Sequence, residues 1–244
     1  MIDIVKSHQR VLKEKRLLSP AEQAHLFGFP NDPDLRESET RLINFKTAET
    51  IILDYEWIGT MPLPRSCRYM FGIYFEGVLG GALVYVEPST RQFLVDYPRK
   101  VVQLNRGATA HWTPRNTASR MIGQSVRHLR REGVIAIIAY CTPEAGEIGE
   151  IYQACNFMYT GMTAPSTSYY LDNHWVSART LADKIKWART RSEAWQVKFA
   201  TLPSRQLGGK FRYVLPIGTK KENAEFVAHF KYQSLPYPKR AERY

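Results

Sequence analysis

The residues with the clearest potential for chemistry lie in the segment 113–157, around a tyrosine and a polar helix start. Tyr152 carries a phenol with an ordinary pKa of about 10, so it can give its proton to a leaving group such as a thiolate. Upstream, Asn116 and Thr117 lie in the first turn of a predicted helix, where backbone N–H groups and the helix dipole attract phosphate. A simpler interpretation also fits: a core tyrosine with a satisfied hydroxyl, and an ordinary solvated helix start.

A helix–strand–helix unit positions these groups. Thr113 followed by Pro114 predicts the start of the first helix, because a hydroxyl N-cap and a proline at the first helical position both favour initiation. Gly133 ends this helix. Residues 134–139 are an unbroken apolar run, which is typical of a parallel strand covered on both faces. A second Thr-Pro pair at 142–143 predicts the start of the helix that carries Tyr152, so the unit is part of an α/β layer structure.

The remaining elements are predicted from periodicity and turn signals. Residues 69–74 and 78–86 predict a β-hairpin around a Glu-Gly turn, and residues 101–104 predict a short strand. The first 48 residues look helical and polar. The other predicted elements are a strand over 50–58, strands over 158–161, 168–171 and 211–215, and helices over 181–199 and 222–230.

The positive charge of the chain is concentrated in its last quarter. The net charge is +11, and residues 179–244 hold 15 Lys+Arg against 5 Asp+Glu. These basic residues alternate with aromatic ones, a combination that favours a polyanion and above all nucleic acid over a merely solvated basic surface. The candidate nucleic-acid contacts in this region are Lys210, Arg212, Lys239 and Arg240.

Several protein classes are disfavoured by the sequence. No run approaches the ~18 apolar residues of a membrane helix, and residues 1–16 contain no apolar signal region. The three cysteines, few and odd in number, indicate reduced thiols in a cytoplasmic protein. The six histidines are not closely paired and no Cys-x-x-Cys is present, so a protein-built metal site is not expected. An Asp/Asn-Pro-Pro-aromatic motif and a glycine-rich loop, which a DNA amino-methyltransferase would carry, are both absent.

Further candidates lie on the connection between the predicted strand 101–104 and the first helix. Arg106 follows a strand end, where ligands gather in α/β folds, so an anion contact is favoured over a plain surface arginine. Ser119 either hydrogen bonds to a ligand or only permits close packing. His111 and Trp112 either stack on an adenine or form a lid packed on the core.

The order of hairpin, strand, helix, strand, helix with tyrosine, and final hairpin resembles that of the GNAT acyltransferases. The resemblance implies that the fourth strand opens to admit acyl-CoA and that the following helix start binds its pyrophosphate. It also implies that a tyrosine upstream of a Gly-Phe pair protonates the leaving thiolate. The corresponding residues are Tyr152 ahead of Asn156 and Phe157. The implied cofactor contacts are Leu104, Asn105, Arg106, Arg115, Asn116, Thr117 and Ser119, and the implied catalytic set is Tyr152, Ser119 and Arg106.

A closer resemblance, in shared order from about residue 56 to 239, is to the Mom family of phage and bacterial proteins. The similar pieces are 56–62, 69–74 with Gly80 and Gly81, 104–106, 116–119, 149–154, 159–161, 210–213 and 237–239. This resemblance implies modification of DNA bases, in the prototype by a carbamoylmethyl (glycinamide) group on the exocyclic amine of adenine, which protects phage DNA from restriction.

The sequence departs from both patterns. The Arg/Gln-x-x-Gly-x-Gly/Ala loop of GNAT enzymes is absent between Leu104 and Ser119. The Mom pattern usually has Asp two residues beyond a tyrosine at the end of the fifth strand, where this chain has Thr142. Glu144 or Glu147 can take the place of that carboxylate in space.

We therefore predict an α/β, GNAT-like mixed central sheet flanked by helices. The expected organisation is an N-terminal helical extension (1–44), a catalytic core (45–178) and a basic, aromatic-rich C-terminal extension packed on the core (179–244). The expected function is transfer of an acyl- or glycinamide-like group from acetyl-CoA or another acyl-CoA-like donor to a nucleobase amine, adenine N6 first, in double-stranded DNA. The alternatives are an N-acetyltransferase acting on protein, tRNA or a small amine, and a nucleic-acid-binding protein with an inactive GNAT-like core.

Overall fold

The structure is a computed structural model and describes residues 33–88, 99–171, 174–178 and 201–240, together with a few isolated positions. The chain divides into two compact units, one formed by Met1–Gly161 with Phe211–Tyr244 and the other by Met162–Lys210. Across the described part of the chain, no helix has the length and apolar character that a membrane crossing needs.

A seven-stranded mixed sheet forms the centre of the first unit, with strand order β1-β2-β3-β4-β5-β10-β6. Helices α1 and α2 pack on this sheet, so the predicted α/β fold with a mixed central sheet and flanking helices is confirmed. The strands are β1 (Glu39–Leu42), β2 (Cys67–Phe75), β3 (Val78–Val86), β4 (Val101–Thr109), β5 (Ala136–Cys141), β6 (Met158–Met162) and β10 (Phe211–Pro216). The helices are α1 (Phe45–Tyr55), α2 (Thr117–Arg131), α3 (Glu150–Ala154) and α4 (Lys220–His229).

Strands β2 and β3 form the predicted hairpin. Glu76 and Gly77 both have positive φ, 48° and 83°, which a two-residue turn of the type favoured in hairpins requires. Side chains from β2, β3 and β4 then build the main core together with one face of α2 and with Phe157 and Tyr213. The hairpin thus supplies the antiparallel half of the sheet.

The parallel half of the sheet begins between β4 and β5. These two strands pair only from Val101–Leu104 to Ala136–Ala139. Beyond Leu104, β4 keeps its pairing with β3, and a register shift at Val84/Tyr85 marks a bulge at Asn105 of β4. On its other edge, β5 pairs with β10 along its whole length, Ala136 to Cys141. Strands β4 and β5 therefore part at Leu104 and Ala139, which leaves one edge of the end of β4 without a strand partner among the residues described.

Helix α1 replaces the strand predicted over 50–58, and that prediction was wrong. Asn44 caps the helix through its side chain, which accepts a hydrogen bond from the Thr47 N–H at 2.9 Å. Ala48, Ile51 and Ile52 are buried, at the i, i+3, i+4 spacing of a helical face. The β-branched run that suggested a strand is thus the buried face of a helix.

Helix α2 begins at Thr117, three residues later than the Thr-Pro pair predicted. Thr113 instead lies in a buried turn, where its hydroxyl donates to the Ala110 carbonyl at 2.8 Å. Asn116 precedes the helix with a left-handed φ of 70° and makes no side-chain cap. The second Thr-Pro pair starts only the 3-10 turn Pro143–Ala145, and Tyr152 lies on the later helix α3.

The last hairpin of the main sheet is interrupted. Strand β10 lies between β5 and β6, and the second unit separates β6 from β10 in sequence. The predicted strand over 168–171 belongs to the second unit and not to the main sheet. Strand β1 lies before residue 45, and Phe211–Tyr244 groups with the unit that contains the main sheet.

The second unit contains a three-stranded sheet of order β8-β7-β9, formed by β7 (Ser166–Leu171), β8 (His174–Ser177) and β9 (Ser204–Leu207). Leu171, Val176 and Leu181 form its small core, with Tyr169 and Leu202 against them. The helix predicted over 181–199 and the one expected in the first 32 residues fall outside the described residues, apart from isolated positions.

Candidate functional site

The candidate site lies where β4 and β5 part. Four separate segments bring ionisable side chains to this place: Glu56 follows α1, Arg106 lies on the end of β4, Glu147 precedes α3, and Tyr152 lies on α3. Glu56 and Glu147 both raise the pKa of Tyr152 through their charge, and Glu56 raises the pKa of Glu147, so the three side chains lie close together. The parting of two parallel strands in α/β folds is a usual position for ligands.

Glu56 and Arg106 form one side of the site. The Glu56 carboxylate is buried, accepts a hydrogen bond from the Ile58 N–H at 2.9 Å, and lies 3.8 Å from Arg106 Nε. Arg106 also donates to the carbonyl of Thr60 at 2.8 Å and to the carbonyl and side chain of Asn105. Burial lowers the pKa of Arg106, and the adjacent Glu56 opposes this effect. Arg106 is thus largely committed to holding the loop after α1 against β4, rather than being open for an external anion.

Glu147 differs from Glu56 in its surroundings. Its carboxylate accepts a hydrogen bond from the Thr142 backbone N–H, and no cation is paired with it in the described part of the chain. Burial, and then the negative charge of Glu56, raise its pKa to about 7. Thr142 stands where the Mom pattern described above usually has Asp. The carboxylate of Glu147 lies beside this threonine. A carboxyl group with this pKa exchanges protons near neutral pH.

Tyr152 lies against the Phe157 and Tyr213 rings, with centroids 5.3 Å away in both cases. Burial raises its pKa well above the ordinary value, and Cys141 and Glu147 raise it further when they are ionised. No hydrogen-bond partner for its hydroxyl is present among the residues described. The phenol therefore stays protonated at neutral pH. Neutralising Glu147 would make Tyr152 a stronger acid, because one of the charges that oppose its ionisation disappears.

A close backbone contact fixes the loop that carries Glu147. Gly149 has a φ of +81°, and a side chain there would overlap the Tyr213 ring. The Tyr213 hydroxyl donates to the Ile148 carbonyl beneath this loop. The segment after α4 holds the other side of α3: Arg240 pairs with Glu150 at 2.8 Å, and Gln153 donates to Pro238 O at 3.3 Å. Helix α3 has only five residues, so these contacts rather than its own length keep it in place.

The start of α2 is the candidate phosphate-binding element. Asn116 and Arg115 are exposed in front of the helix, and no side chain caps it. Thr117 is buried and its hydroxyl donates to Pro114 O at 2.7 Å. Ser119 is half-buried, and its carbonyl accepts a hydrogen bond at 3.9 Å from the thiol of Cys155, the residue that follows α3. The first turn thus presents backbone N–H groups, whereas the Thr117 hydroxyl is turned into the protein and Ser119 contributes a contact between helices. Leu104 is buried at the last β4–β5 pair.

Four of the predicted nucleic-acid contacts are engaged within the protein. His111 is buried, 3.1 Å from the Tyr55 hydroxyl, and Trp112 packs edge-on against Phe75. Arg212 is buried, with its guanidinium donating to Thr160 and lying 3.4 Å from the centroid of the Tyr232 ring. Arg240 is held by Glu150. His111 and Arg212 are thus buried within the protein, whereas Lys210 and Lys239 are exposed, and the part of all these residues in nucleic-acid binding stays a prediction.

Sequence reasoning missed Glu56 as a site residue and named Glu147 only as one of two possible replacements. Glu56 directly follows the segment that was interpreted as a strand, and it stands at the C-cap of α1. The only sequence signal for it was its place in the first family-like piece, residues 56–62. Nothing in the spacing of Glu56 and Glu147, 91 positions apart, indicates that they meet.

Comparison with known proteins supplies a family. Residues 38–239 match the sequence model of the Mom protein family. No curated protein sequence gives a significant match. Among solved structures, similarity is found to an IAA acetyltransferase from Bacillus cereus (11% identity, TM-score 0.42, covering 74% of this chain and 99% of that chain). It is also found to an N-acetyltransferase from Staphylococcus aureus (10%, 0.43, 74% and 99%) and to a GNAT family acetyltransferase from Elizabethkingia anophelis with acetyl-CoA bound (7%, 0.45, 73% and 97%).

Proposed function

Because the chain belongs to the Mom protein family, a family of DNA-modifying transferases, we propose that it transfers an acyl- or glycinamide-like group to a nucleobase amine of DNA, with adenine N6 as the first candidate. The observation that carries the chemistry is the grouping of Tyr152, Glu147 and the Glu56–Arg106 pair at the parting of β4 and β5. The proposed acid, Tyr152, and the proposed base, Glu147, lie in one site, and their surroundings give them different pKa values.

The proposed reaction uses both groups. The amine nitrogen forms a bond to the electrophilic carbon of the donor and gives up a proton, which Glu147 accepts. The bond between that carbon and the leaving atom breaks, the leaving atom keeps the electron pair, and Tyr152 supplies its proton. Return of the proton from Glu147 to the Tyr152 phenolate restores both residues. The two proton transfers favour each other. When Glu147 takes up a proton, its negative charge disappears, which lowers the pKa of Tyr152 and makes the phenol a better proton donor.

An acyl-CoA-like donor fits two features of this chain. The edge of β4 beyond Leu104 is free of β5, so its backbone can pair with an extended amide chain. The first turn of α2, after Asn116, offers backbone N–H groups and the positive end of a 15-residue helix to a pyrophosphate. When bound, such a donor supplies the activated carbon and the leaving thiolate.

DNA is the proposed acceptor because of the family and because the excess positive charge is concentrated in residues 179–244. A base within a duplex must be extruded from the stack before its amine can reach a buried carboxylate. Extrusion costs a few kcal/mol of unstacking, which backbone contacts to phosphates can offset.

The test is expression in a bacterium followed by digestion of the DNA to nucleosides and mass spectrometry. We expect a new modified nucleoside in the wild type and a loss of about 10²–10⁴-fold in its rate of formation in Tyr152→Phe. Tyr74→Phe is the matched control, because Tyr74 lies on β2 outside the site. A wild type that produces no new nucleoside in hosts with different metabolite pools, while it acetylates an amine in vitro, would replace this proposal with the N-acetyltransferase alternative.

A further inference from the structure

The second unit presents an aromatic surface that its own folding does not explain. Side chains alternate along its strands, and Tyr169, Leu171 and Val176 face the small core. On the opposite face, Tyr170 and Trp175 are cross-strand partners, each 39% exposed, with ring centroids 5.4 Å apart. Large aromatic side chains of this kind are usually more deeply buried, and a pair of them on one sheet face indicates a contact surface.

A cation completes this surface. The guanidinium carbon of Arg205, on β9, lies 4.3 Å from the centroid of the Trp175 ring, and its Nε donates to the Ser168 hydroxyl at 3.3 Å. Arg205 has no carboxylate partner among the residues described. Its terminal N–H groups are therefore available to an external anion, while one face of its plane is fixed against the indole.

The positive charge of the second unit indicates which class of molecule this surface binds. The segment 162–210 contains 8 Lys+Arg and 3 Asp+Glu. An exposed aromatic pair beside a stacked arginine on a sheet, in a strongly basic segment, matches the chemistry of an unpaired nucleotide. Its base stacks on an aromatic ring and its phosphate pairs with a guanidinium. An apolar peptide would gain nothing from the unpaired cation, and an acidic peptide would gain little from two aromatic rings.

We propose that the solvent-facing surface formed by Tyr170, Trp175 and Arg205 is a nucleic-acid contact that stacks an unpaired base and binds its phosphate. The choice of DNA as the nucleic acid rests on the proposed function. A protein that extrudes a base from a duplex creates unstacked nucleotides, so a contact with preference for them favours the open form of the DNA.

The test measures binding of the full-length protein to a fluorescent 12-nucleotide single strand and to the corresponding duplex by anisotropy, over a range of salt concentrations. Trp175→Ala is expected to weaken single-strand binding by about 5- to 150-fold, since stacking of one base on an aromatic ring contributes about 1–3 kcal/mol, with an unchanged salt dependence. Trp175→Phe should restore most of the affinity. Arg205→Gln is expected to weaken binding and to reduce the slope of log K against log salt by about 0.7.

The first unit offers a matched control, because Arg41 lies 4.0 Å from the centroid of the Tyr74 ring in a similar stack. Tyr74→Ala should leave the affinity within about twofold of the wild type. Equal loss in Tyr74→Ala and Trp175→Ala, or no loss in either, overturns the assignment of this surface. DNA binding that depends on Trp175 without any nucleoside modification would contradict the proposed function alone. Modification that persists at wild-type level with Trp175-independent binding would contradict this inference alone.

Discussion

The ionisation of Glu147 gives a prediction that needs neither donor nor DNA. Its pKa is raised from 4.5 to about 7 by burial and by Glu56. A carboxyl group that binds its proton more tightly in the folded state makes the fold less stable as the pH rises from the unfolded to the folded pKa. At 1.36 kcal/mol for each pH unit, the 2.5-unit difference corresponds to about 3 kcal/mol of unfolding free energy lost between pH 4.5 and pH 7.

Glu147→Gln removes this pH dependence, because the amide does not ionise. Urea unfolding of the two proteins at pH 5 and pH 8 should therefore give a stability difference that grows with pH, by about 2–3 kcal/mol in favour of the variant. Glu225→Gln is the control, since Glu225 is an exposed carboxylate at the surface end of an ion pair with Lys221. A difference between wild type and Glu147→Gln that is the same at both pH values would refute the argument that Glu147 is a desolvated, unpaired carboxylate.

Two further predictions concern the same site. Glu56→Gln removes a nearby negative charge and should lower the pKa of Glu147 towards its ordinary value, without reaching it because burial remains. The midpoint of the pH-dependent stability difference, measured in the Glu56→Gln background, should therefore move to lower pH. An unmoved midpoint would show that the two carboxylates do not interact. Gly149→Ala should destabilise the protein by about 2–5 kcal/mol, from the left-handed backbone and the overlap with Tyr213 together. Gly133→Ala, where φ is +76° and the space is open, should cost only about 1 kcal/mol in the same denaturation measurement, and equal losses would contradict the close contact.

Much of the central sheet could be predicted from the sequence, because its signals are local. The turn at Glu76 and Gly77 and the apolar run at 134–139 both specify strands by themselves. Helix α1 could not be distinguished from a strand, since its core face, Ala48 to Ile52, includes the same β-branched residues that a strand prefers. Tertiary packing against β2 and β3 decides the outcome there.

The placement of β10 shows a different limit. Residues 211–215 were correctly predicted as a strand, but the sequence does not reveal that this strand lies between β5 and β6 across an insertion of 49 residues, Met162–Lys210. Pairing between distant strands is set by long-range contacts that no local pattern records. Tyr213 gains its role only through this placement, because β10 brings its ring beneath Gly149 and beside Tyr152.

The division of roles between the two carboxylates follows from their partners. Glu56 has the Arg106 guanidinium 3.8 Å away and the Ile58 N–H, so its negative charge is compensated within the protein. Glu147 has one backbone N–H and lies in the field of Glu56. Two acidic groups in one buried site cannot both be ionised at low cost, and the one that takes up a proton is Glu147, which pairs with no cation among the residues that the structure describes. In the proposed reaction, Arg106 therefore acts through Glu56: it compensates the negative charge of Glu56, and that charge raises the pKa of Glu147 towards neutral pH.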